Sequence, residues 1–446
     1  MTISNHPLPP PVIVWHQDPV RAGLDPAVVA QGVESLLEGC RLGQHPGAQL
    51  AVCRPEGLVL EAACGHDTQG RPLTPDTLMA WFSAGKPVTA LGAGLLLDRG
   101  LVDLDDPVRR FIPEFGGGKE ACTLRHLLTH TGGFPQALWR EDAPWEEMVR
   151  QVCAAPAQYP PGTKAAYHPA AGWVILAELI QRVDGRPVDR FVREELLTPL
   201  AMDHTFMAIP PDLAAQWATQ WATQWASQGA SQGAGQISGQ EDSRQKTSGS
   251  EASGSGTGRE TSGKATAGMV LSGVVPGKSP KPAPLSARQT ALLDSPEALV
   301  RVNPWSGLRG PARDLARFYQ MILNRGRTEG GAAASGRALV DPRTVELFTA
   351  CHRWGMADLT LGGAPAAWGL GFALYGLADF PREASRRVAG HGGMVSSVGL
   401  ADAEAGLAVA VITNGLLDPS ANAKRLRGAA GAVYRGLLKN HPPGPR

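Results

Sequence analysis

From Val88 to Leu97 the chain runs ten residues without a charge, and the apolar residues show no strand-like alternation. A helix that is apolar all round must be enclosed. The rest of the chain therefore has to supply packing partners on every side of this one. Gly100 marks its end. Just before it stands Phe82-Ser83-Ala84-Gly85-Lys86-Pro87, with Pro87 in the first turn, where a missing N–H costs little. Ser83 then sits at a helix N-terminus, where free N–H groups and the helix dipole favour negative charge. Lys86, three residues on, shares its face and can reach the serine oxygen. A desolvated lysine with a lowered pKa can take the serine proton. Taken alone, Ser-x-x-Lys is short enough to occur by chance, as a capping serine beside a solvated lysine. The rest of the chain has to decide between the two readings.

Its 446 residues are ample for a large core, and 42 basic against 41 acidic residues leave a formal charge of +1. That balance points to no nucleic-acid partner and no anionic membrane surface. Met1 to Pro19 has neither a basic cluster nor an apolar core of the secretory type, and no apolar run reaches the ~20 residues of a membrane span. The six cysteines are scattered without a C-x-x-C pair, which suits a reducing, cytoplasmic setting.

Asp25-Pro26 has the form of a helix start, and Val28, Val29, Val33, Leu36 and Leu37 recur at helical spacing. Gln49–Arg54 and Leu58–Ala63 predict a hairpin about Pro55-Glu56-Gly57. A short helix follows Thr123 and ends at His130-Thr131-Gly132-Gly133. Pro160-Pro161-Gly162-Thr163 leads to Tyr167, and helices are predicted over 173–183 and 188–197. Beyond the insert, Pro311–Leu323 and the segment opened by Asp341-Pro342 read as helices. Strands are predicted over 368–375, 387–389, 394–402 and 406–413, and a last helix over 421–438. The expected fold is α/β: an antiparallel sheet built from both chain ends (about 20–80 and 300–440) and flanked by terminal helices, with an all-helical subdomain (about 83–213) inserted.

The region 214–290 interrupts this pattern. Gln216–Ser227 is a tandem Gln-Trp-Ala-Thr/Ser repeat, and from Gln228 to about Lys281 Gly, Ser, Ala, Gln and Thr dominate. Such a stretch buries too little apolar surface to offset its ordering entropy, so it is read as disordered. Met269–Val275 is a brief apolar patch within it. Trp217, Trp221 and Trp225, four apart, would line one face if the repeat were helical, a surface for a partner or a lid. Expansion of a tolerant loop is the plainer reading.

Phe82-Ser83-Ala84-Gly85-Lys86, then Tyr167 after its Pro-Gly-Thr loop, then His391-Gly392-Gly393 before a strand resemble the three motifs of the penicillin-recognising serine hydrolases. That group comprises class C β-lactamases, DD-peptidases and related esterases. The phrases from Leu124 to Gly133 and from Gly310 to Ala316 are similar to two further stretches of the family. The resemblance runs from about Pro46 to Gly415 and implies the β-lactamase/transpeptidase fold. It implies Ser83 as nucleophile, with Lys86 and Tyr167 sharing general-base and general-acid work and the tyrosine pKa lowered by lysine charge. The oxyanion hole would be the N–H groups of Ser83 and Met394, and Gly392 and Gly393 would let substrate approach the strand. No cofactor and no metal is implied.

Two positions depart from the family. His391 stands where lactamases carry lysine, and an imidazole holds a substrate carboxylate less firmly as pH rises through ~6.5. In the second motif, Tyr167-His168-Pro169 replaces Tyr-x-Asn, so the amide that holds the lysine and the substrate acylamide is missing. His168 is the candidate substitute, although the middle residue of that motif usually points elsewhere. His126 and His130, four apart, have no visible third metal ligand and are read as structural. Ester hydrolysis needs less positioning than lactam cleavage, so a small-molecule ester is the expected substrate. The alternatives are an amide substrate, cleaved by a β-lactamase or DD-peptidase, and a binding or regulatory module of the same fold that has lost turnover.

Overall fold

A computed structural model describes residues 7–67, 70–137, 143–217, 224–225, 295–328, 338–393 and 396–438. The chain opens with strand β1 (Val12–Trp15), so the sheet begins ahead of the expected boundary at residue 20. Helix α1 (Pro26–Arg41) starts where Asp25 predicted. The Asp25 carboxylate accepts from the N–H groups of Ala27 and Val28 at 2.9 and 3.3 Å, two donors the first turn cannot satisfy itself. The predicted hairpin is β2 (Gly47–Arg54) and β3 (Gly57–Gly65). Further along come β4 (Met79–Ala80), β5 (Gln224–Trp225), β6 (Arg309–Gly310), β7 (Ala373–Leu374), β8 (Val388–Gly393), β9 (Ser397–Asp402), β10 (Leu407–Thr413) and β11 (Gly415–Leu416).

Seven strands form one sheet in the order β1-β3-β2-β10-β9-β8-β7. Its central joint is the antiparallel pair β2–β10, with Leu50 opposite Val411, so the two chain ends close the sheet as expected. On one face α1 and the helix Pro419–Arg435 pack together over Val52, Val409 and Val411. Their backbones approach closely: a Cβ at Gly32 would lie 2.8 Å from Ala429 O. Against the other face lies the helix Ala312–Leu323, whose Leu315, Phe318 and Tyr319 are fully buried. That core continues without a break into the helical segment.

The apolar run is helix α2 (Lys86–Asp98), buried from Lys86 through Leu96, as its composition requires. Around it are α3 (Leu124–Leu128), α4 (Trp145–Ala154), a helix not among those expected, and α5 (Ala171–Asp184). Three expectations are corrected. The helix expected over 188–197 is α-helical only for Val188–Val192 and continues as a π turn, Arg193–Leu197. The strand expected over 368–375 shrinks to Ala373–Leu374, because Trp368 pairs with Arg353 instead. The Trp repeat is not one helix: Trp217 ends the helix Pro211–Trp217, and Gln224–Trp225 runs parallel to Gly415–Leu416. Gln228–Lys281, with its Met269–Val275 patch, lies outside the described residues. Among the described residues no helix is long and apolar enough to cross a membrane.

Candidate active site

Ser83 lies in a single 3₁₀ turn, Phe82–Gly85, that leads into α2. The α-helix proper therefore starts at Lys86, three residues later than expected. The turn is strained at Phe82, whose φ of 49° is rare for a bulky residue. Surrounding contacts hold it there. Trp81 N–H donates to Leu308 O at 3.0 Å, its indole N–H donates to Gly310 O at 2.9 Å, and Ser397 Oγ donates to Trp81 O at 2.7 Å. The Ser83 turn is thus clamped between the segment Leu308–Gly310 and the β8–β9 hairpin.

Lys86 is 1 % exposed, and burial pushes its ammonium well below the usual lysine range. Its Nζ lies 2.7 Å from Ser83 Oγ and donates to Trp305 O at 2.7 Å. A neutral amine has two N–H donors and one lone pair. One donor satisfies Trp305 O, the other is directed at Ser83 Oγ, and the lone pair is left to take a proton. Trp305 does what the missing asparagine amide would do for the lysine, with a backbone carbonyl that no side-chain motif can reveal. The phrase Asn303-Pro304-Trp305-Ser306-Gly307 is the only trace it leaves. There the Asn303 side chain accepts from Trp305 N and Ser306 N at 3.3 and 2.9 Å and shapes the loop.

Tyr167 comes next to this pair: its ring lies 5.4 Å from Lys86 Nζ, and its hydroxyl interacts with the Ser83 side chain. Burial pushes that hydroxyl up, only partly countered by Ser83, so the expected lowering by lysine charge does not occur. The physical reason is that the lysine is itself driven toward its neutral form. The backbone of Tyr167 is anchored at both ends, with N–H donating to Asp358 Oδ1 at 3.0 Å and O accepting from Thr360 Oγ1 at 3.2 Å. Asp358 is held in turn by Arg353 at 2.9 Å, an ion pair 1 % and 0 % exposed. Neither residue carried a sequence signal, because a buried loop ion pair has no local pattern.

His391, on β8, faces the same centre, with its ring 5.9 Å from that of Tyr167 and 5.5 Å from that of Trp368. Burial, reinforced by Lys86, pushes it down to about 3, so it is neutral at any working pH rather than titrating near 6.5. Its Nδ1 lies 2.6 Å from Gly392 O and donates to it, which leaves Nε2 as a lone-pair acceptor without a partner among the described residues. His168 does not reach the site. Its Nε2 accepts from Phe134 N–H at 3.2 Å and its Nδ1 donates to Ala166 O at 2.7 Å. Both ring nitrogens are committed to the scaffold, so His168 cannot replace the missing amide.

Packing by itself requires the two glycines. A Cβ at Gly393 would overlap Trp81 O and Ser397 Oγ and stand 3.0 Å from Ala84 N, so the strand end abuts the Ser83 turn directly. A Cβ at Gly392 would point to the opposite face and overlap the Asp379 carboxylate. Met394, the expected second oxyanion donor, lies outside the described residues, immediately after β8. His126 is a capping residue, with Nδ1 accepting from Thr123 N–H at 3.1 Å. His130 Nδ1 accepts from His168 N–H at 3.0 Å. Among the described residues no group of three His, Cys, Asp or Glu side chains lies close enough to hold a metal.

A strained serine turn, a buried lysine and a half-buried tyrosine beside strand β8 define a class of site built for nucleophilic attack by serine. The Beta-lactamase family model matches residues 29–433, and the chain belongs to that family. Esterase EstB of Burkholderia gladioli is 29 % identical over 221 residues, 44 % of this chain and 56 % of that protein. Esterase/beta-lactamase LipL of Mycobacterium tuberculosis is 32 % identical over 194 residues, 42 % of this chain and 44 % of its own length. The chain thus spans about half the length of these curated relatives. A solved family VIII carboxylesterase superposes with a TM-score of 0.68 at 21 % identity, covering 93 % of this chain and 99 % of the other, a likeness of fold.

Proposed function

We propose that the protein is a serine hydrolase that cleaves carboxylic esters through an acyl-enzyme on Ser83. The observation that carries this reading is the fully buried Lys86 with its Nζ 2.7 Å from Ser83 Oγ. Neutral Lys86 takes the serine proton as Oγ attacks the ester carbonyl, and Trp305 O steadies the resulting ammonium. The Ser83 N–H and the N–H following Gly393 are the proposed donors to the oxyanion. Tyr167, kept protonated by burial, gives its proton to the leaving alcohol oxygen as the tetrahedral intermediate collapses, and is reprotonated from Lys86. Water then attacks the acyl group by the reverse route.

The preference for esters over lactams rests on His391 and Pro169. A neutral imidazole presenting a lone pair offers no positive charge to a lactam carboxylate. With His168 committed elsewhere, nothing at the second motif stands in for the acylamide-binding amide. The relatives whose printed names include esterase support the same direction. Steady-state kinetics on nitrocefin and p-nitrophenyl acetate test it. The ester should have the higher kcat/KM, and the reverse order would refute the ester assignment. A cytoplasmic location belongs to the same proposal, supported by six cysteines that are all free thiols.

A further inference from the structure

The loop from Arg353 to Trp368 is a compact two-armed excursion, closed by the bridges Arg353–Trp368 and Ala357–Pro365. Its two charged side chains, Arg353 and Asp358, are buried and paired with each other. What remains outside is apolar: Trp354, Leu359 and Leu361 are 62 %, 44 % and 40 % exposed, with Ala357, Ala364 and Pro365 exposed beside them. Single exposed apolar residues are ordinary, but a charge-free cluster is a mark of contact with something apolar. Three of the ten large hydrophobic residues exposed among the described residues fall in this one loop.

The loop is built onto the proposed general acid. Leu359 N–H donates to Ala165 O at 3.0 Å, Thr360 Oγ1 donates to Tyr167 O at 3.2 Å, and Asp358 accepts from Tyr167 N–H at 3.0 Å. The loop that carries the exposed Leu359 and Leu361 is thus hydrogen-bonded to the backbone of Ala165 and Tyr167. Resting on the esterase reading, in which Tyr167 protonates the departing alcohol, we infer that this loop is the docking surface for the apolar chain of the alcohol half of the substrate. The substrate class is then an ester of a lipophilic alcohol. Selectivity then lies in the leaving group.

Two ester series separate the halves: ethyl against octyl acetate for the alcohol, and ethyl acetate against ethyl octanoate for the acyl group, all as monomers in a pH-stat. Wild type should favour octyl over ethyl acetate in kcat/KM by at least about tenfold, the equivalent of ~1.4 kcal/mol. In the variant carrying Leu359→Asn and Leu361→Asn that ratio should fall to near one, while the ratio in the acyl series stays as in wild type. Leu101→Asn, an exposed leucine elsewhere, should leave both ratios alone. An unaltered alcohol ratio in the double variant, or a loss confined to the acyl series, would overturn the inference. So would a dimer that the double variant dissociates without any change in the ratio, since the loop would then bind a second copy. Absence of turnover on every ester would instead overturn the esterase reading and this inference together.

Discussion

Replacing Gly393 by alanine tests whether the strand end and the nucleophile turn work as one unit. A Cβ at this position meets Trp81 O and Ser397 Oγ well inside van der Waals distance and lies 3.0 Å from Ala84 N. Backbone occupies two of these three directions, so the strain cannot be relieved by rotating a side chain. Relief requires β8 and the Ser83 turn to separate by about 1 Å, and a displacement of ~1 Å at reacting groups costs on the order of 10²-fold in rate. The Ser83 N–H, a proposed oxyanion donor, rides on the displaced turn, so the loss should appear in kcat. Overpacking should also lower stability by about 1–3 kcal/mol. Gly392→Ala is the matched control. Its Cβ meets the far end of the Asp379 side chain, which can swing away, so its cost in kcat should be at least tenfold smaller. Turnover of p-nitrophenyl acetate and thermal melting of both variants supply the data. Wild-type kcat in Gly393→Ala, or a larger loss in Gly392→Ala, would refute the reasoning.

Further outcomes are expected from the same geometry. Lys86→Met should abolish turnover and yet raise the melting temperature. The unfolded chain holds the lysine proton up to about 10.5 while the folded chain releases it earlier, so wild-type stability falls as pH drops below that value. The melting advantage of the variant should therefore widen from pH 9 to pH 7, and an advantage that shrinks would show that burial does not depress this lysine. Tyr167→Phe should cost several orders of magnitude in acylation, and combining it with Lys86→Met should cost little more, since groups acting as a unit are non-additive. Full additivity of the two losses would separate them. Because His391 is held neutral down to about pH 3, the ratio of ester to nitrocefin turnover should stay flat between pH 5 and 8. A break near pH 6.5 would show an imidazole titrating there. Adding a fixed charge with His391→Lys, together with Pro169→Asn, should move preference toward nitrocefin, measured as the same ratio.

Much of the frame was legible in the sequence because it rests on local rules. Asp25-Pro26 is a self-contained helix start, the hairpin about Pro55-Glu56-Gly57 needs only its turn, and an all-apolar helix at Val88–Leu97 can only be central. The pairing of Ser83 with Lys86, on which the proposed chemistry rests, was legible because their spacing is itself the geometry. What was missed depends on contacts between distant segments. Trp305 reaches Lys86 through a carbonyl, a group every residue carries. Arg353 and Asp358 pair in a loop without periodicity, and they anchor Tyr167 from almost two hundred residues away in sequence. His168 was misjudged because its neighbours, Phe134 and His130, come from another loop. The lowered pKa expected of Tyr167 and the ordinary one expected of His391 both fail because depth of burial, not motif identity, sets them.

The central claim is a covalent acyl-enzyme on Ser83. Wild-type protein mixed with p-nitrophenyl butyrate, acid-quenched within the first turnovers and analysed by intact and peptide mass spectrometry, tests it directly. A butyryl adduct on the peptide containing Ser83, absent from Ser83→Ala together with the turnover, is the expected result. Ester hydrolysis that persists in Ser83→Ala, or an adduct found on another residue, would contradict the account.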